Sequence, residues 1–351
     1  CLMIGNGIDS DSFLSDHLIR FFAVYESSLD AYIVFNSVGN PTVYTWQAMI
    51  SVYMSSGENH KAIYVFNEMQ QYGIKPDKVT YLYALRICSM LGSLEEGRRI
   101  HEQVLESGFI SDLAIGSTLI DMYAKCGDHE EAFIVFEKLP SRDVVCWNAL
   151  LGGYLYHGDG ASALKIFQRM KQDSIGPDRI TFLHLLKAYS LTKSIDDGYL
   201  IHYNIIILGL DSDVSIMTTL IDMYAKFESL EEACQIFDKS SVRNLVSWNA
   251  MIAGYVQQGY CLLAYEMFEK MKEDSILPDV SSWNVLIAGL THREEGFSAL
   301  EAFGRMQREG IQPNKVSFLC SLRACVTVGA VVPGQRIHDQ IIRSGLESDI
   351  V

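Results

Sequence analysis

The sequence predicts an all-α fold, a solenoid of stacked helix-turn-helix repeats, on three observations. The 351 residues repeat themselves at a shift of 101: Trp46, Trp147 and Trp248 coincide, as do His101 and His202, Asp112 and Asp213, and Met122-Tyr123-Ala124-Lys125 with Met223-Tyr224-Ala225-Lys226. That period divides into blocks of 35, 35 and 31 residues, each split at an internal breaker such as Gly57, Gly92, Gly127, Gly158 or Gly259. Within the block 144–178, Trp147, Leu150, Leu151 and Tyr154 follow the i, i+3, i+4, i+7 rule, and after Gly158 so do Ala163, Ile166, Phe167 and Met170. Each block is therefore a pair of amphipathic helices.

Taken in order, the repeats are 12–42, 43–77, 78–112, 113–143, 144–178, 179–213, 214–244, 245–279, 280–314 and 315–349. A glycine after the first helix, as at Gly57, Gly92, Gly127, Gly158 and Gly259, supplies a left-handed residue that ends it, and Pro-Asp or Pro-Asn at 76, 177, 278 and 313 closes the long blocks. Residues 1–11 read as the tail of another repeat, because Asp11 falls where Asp112 and Asp213 fall, and 350–351 begin a further one. Both ends are expected to be cut inside the array, and no start methionine or targeting segment is visible.

Composition fits a soluble helical protein, with 49% hydrophobic residues, mean hydropathy +0.11 and no charge-free apolar run of the roughly 20 residues a membrane span needs. A solenoid grows by adding neighbours and needs no internal boundary, so residues 1–351 are expected to form one continuous domain. Eight cysteines show no CxxC pair; at helical positions they read as reduced, buried thiols rather than disulfides or zinc ligands.

Trp147, Leu150, Tyr154, Ala163 and Phe167 would suit a tetratricopeptide repeat, but Leu151 and Met170 stand where that family wants a small residue, and it does not mix lengths of 35 and 31. The block endings Ile-Lys-Pro-Asp (74–77), Ile-Gly-Pro-Asp (175–178), Ile-Leu-Pro-Asp (276–279) and Ile-Gln-Pro-Asn (311–314) instead resemble pentatricopeptide repeats. More narrowly, Val-Ser-Trp-Asn-Ala-Met-Ile (246–252), Leu-Ile-Asp-Met-Tyr-Ala-Lys (119–125 and 220–226) and Gly-Gln-Arg-Ile-His (334–338) resemble the PLS class of plant organellar proteins. The order reads S-P-L-S-P-L-S-P-P-L, with 280–314 a P repeat where an L was due.

The resemblance implies a right-handed superhelix that binds single-stranded RNA, one repeat per nucleotide, read by the fifth and last residues. The chemistry is independently checkable. An aspartate only accepts hydrogen bonds and suits the ring N–H of uracil or guanine; an asparagine also donates and suits the bare ring nitrogen of adenine or cytosine. On this code Ser117 with Asp143 prefers G, Asn148 with Asp178 U, Thr218 with Asn244 A, Asn249 with Asp279 U, and Asn284 with Asn314 C, with U second. The L repeats carry Leu82, Leu183 and Leu319 at the fifth position and read nothing directly. Gln47 with Asp77, and Asp16 with Thr42, receive no base. With the family's parallel polarity the core is 5′-GUNAU[C/U]-3′.

The second residue is the expected base clamp: Tyr44, Val79, Ala114, Val145, Ile180, Ser215, Val246, Ser281 and Val316. Aliphatic contacts there are individually weaker than the roughly 1–3 kcal/mol of an aromatic stack. The thirteenth position, where the family favours a phosphate-facing lysine, is Lys only at Lys125 and Lys226. Together with the net charge of −15, that predicts a shallow salt dependence.

Other clusters carry no chemistry. His101, His202 and His338 share position 24 of the L repeats, and equivalent positions in a linear stack do not converge on zinc. The four tryptophans, at position 4 of P repeats, read as core. His129-Glu130-Glu131 matches half of a zinc-deaminase signature, but PCxxC is absent and acids there suit a helix N-terminus. No P-loop, GxGxxG, Ser-His-Asp arrangement or HExxH is present, so neither catalysis nor a cofactor nor a metal is expected.

The resemblance implies a site-recognition factor for C-to-U RNA editing in a mitochondrion or chloroplast. A deaminase would lie in a further C-terminal segment or act in trans, and small organellar RNA-editing-factor proteins of the MORF/RIP type would grip the L repeats. A splicing, stability or translation factor using the same code is the alternative. A peptide-binding scaffold is a third reading, favoured by the negative charge and disfavoured by the fifth-and-last pattern.

Overall fold

The computed structural model describes residues 12–24, 27–240 and 243–345. The expectations for residues 1–11, including Asp11, and for 350–351 lie outside the described residues, as does the side chain of Asp16. Regular structure among the described residues is helical, twenty α-helices and a 3-10 turn at Phe109–Ser111.

Two compact units divide the chain at His184 and Leu185. The first contains α1 (Ser12–Val24), α2 (Ser28–Ser37), α3 (Val43–Ser55), α4 (Asn59–Gln71), α5 (Lys78–Leu91), α6 (Leu94–Glu106), α7 (Leu113–Lys125), α8 (His129–Lys138), α9 (Val144–Tyr156), α10 (Gly160–Gln172) and the start of α11 (Arg179–Thr192). The second contains the rest of α11, then α12 (Ile195–Ile207), α13 (Val214–Lys226), α14 (Leu230–Lys239), α15 (Leu245–Gln257), α16 (Cys261–Glu273), α17 (Val280–His292), α18 (Gly296–Arg308), α19 (Lys315–Val328) and α20 (Val331–Ser344). Each repeat boundary read from the sequence falls on the first residue of an odd-numbered helix. The 31-residue repeats are short because their second helices, α2, α8 and α14, have 10 residues each.

The boundaries are fixed by capping. The last residue of a repeat is the N-cap of the next first helix, and its side chain accepts the N–H three residues on, as in Asp77 to Thr80 (2.9 Å), Asp143 to Cys146 (3.0 Å) and Asn244 to Ser247 (2.8 Å). From α3 onward, first helices end on left-handed residues. Gly127 and Gly259 have φ of 90° and 87°, and the matching positions one period or one repeat later hold Glu228 and Glu294, both at φ 63°.

Packing repeats with the same register. The ring at position 24 of one repeat meets position 4 of the next: Phe35 on Trp46 (4.8 Å between centroids), Phe136 on Trp147 (4.6 Å), Phe237 on Trp248 (4.7 Å) and Phe268 on Trp283 (4.5 Å). All four tryptophans are at most 2% exposed, so they are core as read from sequence. Each edge-to-face or tilted pair adds about 0.5–1.5 kcal/mol to the burial of its rings. In the L repeats the same position is histidine. His101 Nδ1 lies 2.8 Å from the Tyr123 hydroxyl and His202 Nδ1 2.9 Å from that of Tyr224, separate seams rather than a shared site. Burial lowers both imidazoles below the ordinary histidine range, keeping them neutral partners.

Seven cysteines are free among the described residues; burial pushes the Cys88 and Cys146 thiols up to about 12. No described helix is long and apolar enough to cross a membrane. His129-Glu130-Glu131 occupies the first turn of α8, where the Asp128 side chain accepts the Glu131 N–H and the His129 ring stacks on Tyr154.

A non-glycine residue in the left-handed region costs about 1–2 kcal/mol, partly offset by the entropy that glycine would lose, about 0.5–1 kcal/mol. Glu228→Gly and Glu294→Gly are therefore each expected to raise the unfolding free energy by up to about 1 kcal/mol. Chemical denaturation tests this, and a clear loss of stability in either variant contradicts it.

Candidate nucleic-acid interface

The fifth residue of a repeat lies one turn into the first helix, and the cap of the following helix folds back beside it. Where the fifth residue is an amide, the structure joins the pair in three of four instances. Asn148 Nδ2 donates to Asp178 Oδ1 (2.9 Å), Asn284 Nδ2 to Asn314 Oδ1 (3.1 Å), and Gln47 Nε2 to Asp77 Oδ1 (2.6 Å). Sequence reasoning missed a third member, the hydroxyl at the third position of the next repeat. Thr181 Oγ1 donates to Asn148 Oδ1 (2.8 Å), Ser317 Oγ donates to Asn284 Oδ1 (2.6 Å), and Gln47 Nε2 donates to Thr80 Oγ1 (3.0 Å). Asn148 and Gln47 are buried, so these bonds hold the amides in a single orientation. The only sequence signal was a Ser or Thr three residues after the cap, which reads as ordinary helix-start chemistry.

The cap decides which atom remains outside. Asp178 uses Oδ1 for the Thr181 N–H (2.8 Å) and Asn148, and this oxygen shares the single Thr181 hydroxyl proton with Asn148 Oδ1 (2.8 Å to each), so its second carboxylate oxygen is the one not engaged by these bonds. Asn314 likewise spends Oδ1 on the Ser317 N–H (3.1 Å) and Asn284, with the Ser317 hydroxyl, whose proton goes to Asn284 Oδ1, 3.1 Å away. Its outward atom is consequently the amide nitrogen. An aspartate cap thus presents an acceptor, and an asparagine cap a donor. Burial alone would raise the Asp178 carboxyl, but the hydrogen bonds from Thr181 and Asn148 outweigh it and hold it below the usual carboxylate range. The group stays an acceptor at neutral pH.

The remaining pairs are less closed. Asn249 is not bonded to Asp279; its Oδ1 is buried without a hydrogen-bond partner among the described residues, and the Ser282 hydroxyl turns to Asp279 Oδ1 (3.1 Å) instead. The short fifth residues bond their own helix, Ser117 to the Ala114 carbonyl (3.1 Å) and Thr218 to the Val214 carbonyl (2.7 Å), while Asp143 and Asn244 act as caps. In the first L repeat both oxygens of the last residue are occupied: Asp112 Oδ1 caps Ala114 and Ile115, and Oδ2 takes the Lys78 ammonium (2.6 Å).

In each compact unit, second positions of the repeats carry exposed aliphatic side chains. Val79, Val145, Ile180, Val246 and Val316 are 41–59% exposed, and Tyr44 joins them. Lys125 and Lys226, at the thirteenth position, are each bonded one turn back, to Asp121 (2.9 Å) and Asp222 (2.7 Å). Neither lysine is therefore a free cation, which the sequence reading had not weighed.

The model of the PPR repeat family matches residues 41–89, 142–190, 243–292 and 278–327, and that of the single PPR repeat matches 117–144 and 215–245. The chain belongs to the pentatricopeptide (PPR) repeat family. Among curated relatives from Arabidopsis thaliana, it is 36% identical to pentatricopeptide repeat-containing protein At2g33680 over 80% of this chain and 38% of that protein. It is 32% identical to At1g11290, described as chloroplastic, over 99% of this chain and 39% of that protein. The chain thus spans about two fifths of the length of these relatives. The structure of the PPR protein PPR10 in complex with an 18-nt psaJ RNA element superposes with a TM-score of 0.70 at 21% identity, covering 96% of this chain and 51% of that one. PPR10 from maize gives 0.66 at 20% identity, covering 98% and 55%. The PPR helical-repeat fold is shared.

Losing the Thr181 hydroxyl leaves a buried amide oxygen without its donor, at a cost of about 1–3 kcal/mol. Thr181→Val is expected to lower the unfolding free energy by about that amount, whereas Thr181→Ser changes it little. Thermal or urea melts of the two variants provide the check, and equal stabilities would contradict the triad.

Proposed function

We propose that this PPR chain binds single-stranded RNA, with P and S repeats each reading one nucleotide, and serves as the site-recognition factor for C-to-U editing of an organellar transcript. One observation carries the binding reading: a fixed donor or acceptor at the cap, held beside the fifth-position amide and flanked by an exposed aliphatic side chain. A base slid against Val145 or Ile180 would meet the Asp178 carboxylate edge-on, and one at Val316 would meet the Asn314 amide. The preferred core is 5′-GUNAU[C/U]-3′, from Ser117/Asp143, Asn148/Asp178, the unread L repeat, Thr218/Asn244, Asn249/Asp279 and Asn284/Asn314, with the ten repeats acting as one array. Editing, mitochondrion or chloroplast as the address, MORF/RIP-type partners at the L repeats and a deaminase supplied by another segment or in trans rest on the P-L-S order of the sequence. Loss of the protein would then abolish conversion of a cytidine in an organellar transcript, read by sequencing organellar RNA. Intact editing with a splicing or stability defect would move the assignment to the alternative.

Binding is tested with RNA carrying the core against a scrambled control, with and without an accessory protein. Asp178→Asn exchanges an acceptor for a donor at one nucleotide, and preference there should pass from U to C; an unchanged preference in a binding series contradicts the pairing. The salt response should be shallow. With no more than the two lysines, Lys125 and Lys226, engaging phosphate, the slope of log K against log salt is expected to be about −1.4 or flatter. A slope several times steeper would show that other cations make the backbone contacts.

A further inference from the structure

The second helix of the middle L repeat, α12, is unlike its counterparts. Its inward side carries Gly198, Ile201 and Ile205, matching Gly97, Ile100 and Val104 on α6. Its outward side carries Tyr199, Leu200, Tyr203, Ile206 and Ile207, continued by Ile195 and Leu208, all between 41 and 63% exposed. Of these, Tyr199 donates its hydroxyl to Glu232 (2.7 Å) and packs its ring on Tyr224, but keeps part of its surface open. At the same five positions α6 holds Arg98, Arg99, Glu102, Leu105 and Glu106, and α20 holds Gln335, Arg336, Asp339, Ile342 and Arg343. The repeat fold therefore does not require an apolar surface there. At 100° per residue, the seven side chains, Leu208 just past the helix end included, lie within an arc of about 220°, and the five central ones within about 120°, opposite the buried stripe. Together they offer on the order of 700 Å², close to the roughly 800 Å² that one partner gives to a standard-size interface.

We propose that this face is the contact between two copies of the chain, an antiparallel α12–α12 pair across a two-fold axis at Tyr203. Two features favour a second copy. The five central apolar positions are symmetric about Tyr203, at three and four residues on either side, and Ile195 and Leu208 lie outside that symmetry. A two-fold axis there stacks Tyr203 on its mate, sets Tyr199 against Ile207 and Leu200 against Ile206, and uses the same patch twice, as an isologous interface must. The two ends of α12 are also opposite in charge, with exposed Lys193 just before the helix and Asp211 and Asp213 in the segment after it, so an antiparallel pair brings unlike ends together. Since each copy carries a net charge of −15, association must be driven by apolar burial and should strengthen as salt screens the repulsion.

The test is sedimentation equilibrium of the full-length protein without RNA, so that its outcome is separate from the reading of bases. The wild-type protein is expected to dimerise in the micromolar range, more tightly at higher salt. Leu200→Arg, Tyr203→Glu and Ile207→Glu together install the residues α6 already tolerates and should give a monomer of unchanged helicity. Tyr203→Glu alone and Tyr203→Lys alone should each weaken the dimer at least tenfold, and their mixture should restore it as a mixed dimer, because position 203 faces itself. A wild-type protein that stays monomeric to 100 µM overturns the proposal and assigns the face to a different partner. So does a dimer that survives the triple substitution, or a Glu/Lys mixture no tighter than either variant alone.

Discussion

The hydrogen bond from a helix's third N–H to the cap residue before it organises both the fold and the candidate interface. It terminates each repeat at Asp77, Asp143, Asp178, Asn244, Asp279 and Asn314, and thereby sets the register in which successive hairpins stack. Because the cap spends a chosen oxygen on the backbone, the opposite atom of the same side chain is turned outward. Folding thus determines which hydrogen-bonding group reaches solvent, and no separate device is needed to orient it. The fifth-position amide and the hydroxyl of the next repeat complete the arrangement at Asn148 and Asn284, where both hydrogen bonds are formed.

Much of this was legible in the residues. Caps and left-handed termini admit few residue types, so Pro-Asp, Pro-Asn and the interior glycines marked the boundaries to the residue, and the copied tryptophans marked the core. The pairing of Asn148 with Asp178 was implied by the resemblance to pentatricopeptide repeats, through the fifth and last positions of the unit. What escaped depended on geometry between repeats. Thr181 and Ser317 looked like routine helix starts, and their bond to an amide 33 residues earlier becomes visible only once the hairpins are stacked. The Asp121–Lys125 and Asp222–Lys226 pairs lay at the i, i+4 spacing in plain view, yet the lysines were read by their position in the repeat rather than by their neighbours. Ser117 and Thr218 are too short to bridge to the cap and fall back on their own helix, a preference that hydroxyl side chains commonly show.

The aromatic seam explains how such a chain tolerates departures from a strict triplet. Phe268 on Trp283 (4.5 Å) makes the same pair of positions meet as Phe237 on Trp248 (4.7 Å), although its rings are tilted rather than edge-to-face and the repeat carrying Trp283 stands where an L repeat was due. Where position 24 is phenylalanine, the junction joins it to position 4 of the next repeat, so a P repeat can follow a P repeat through the same contact. Where histidine replaces phenylalanine, the contact moves to the tyrosines at 123 and 224 and becomes polar, but it still joins consecutive hairpins.

The equivalence of aspartate and asparagine as helix caps has an evolutionary consequence. The two residues stabilise a helix start almost equally, and their codons differ by one transition at the first base. A lineage can therefore cross from an acceptor to a donor at Asp178 or Asn314 without passing through an unstable intermediate. If nucleobases are read there, retargeting is open to neutral drift, one repeat at a time, while selection on stability maintains the scaffold.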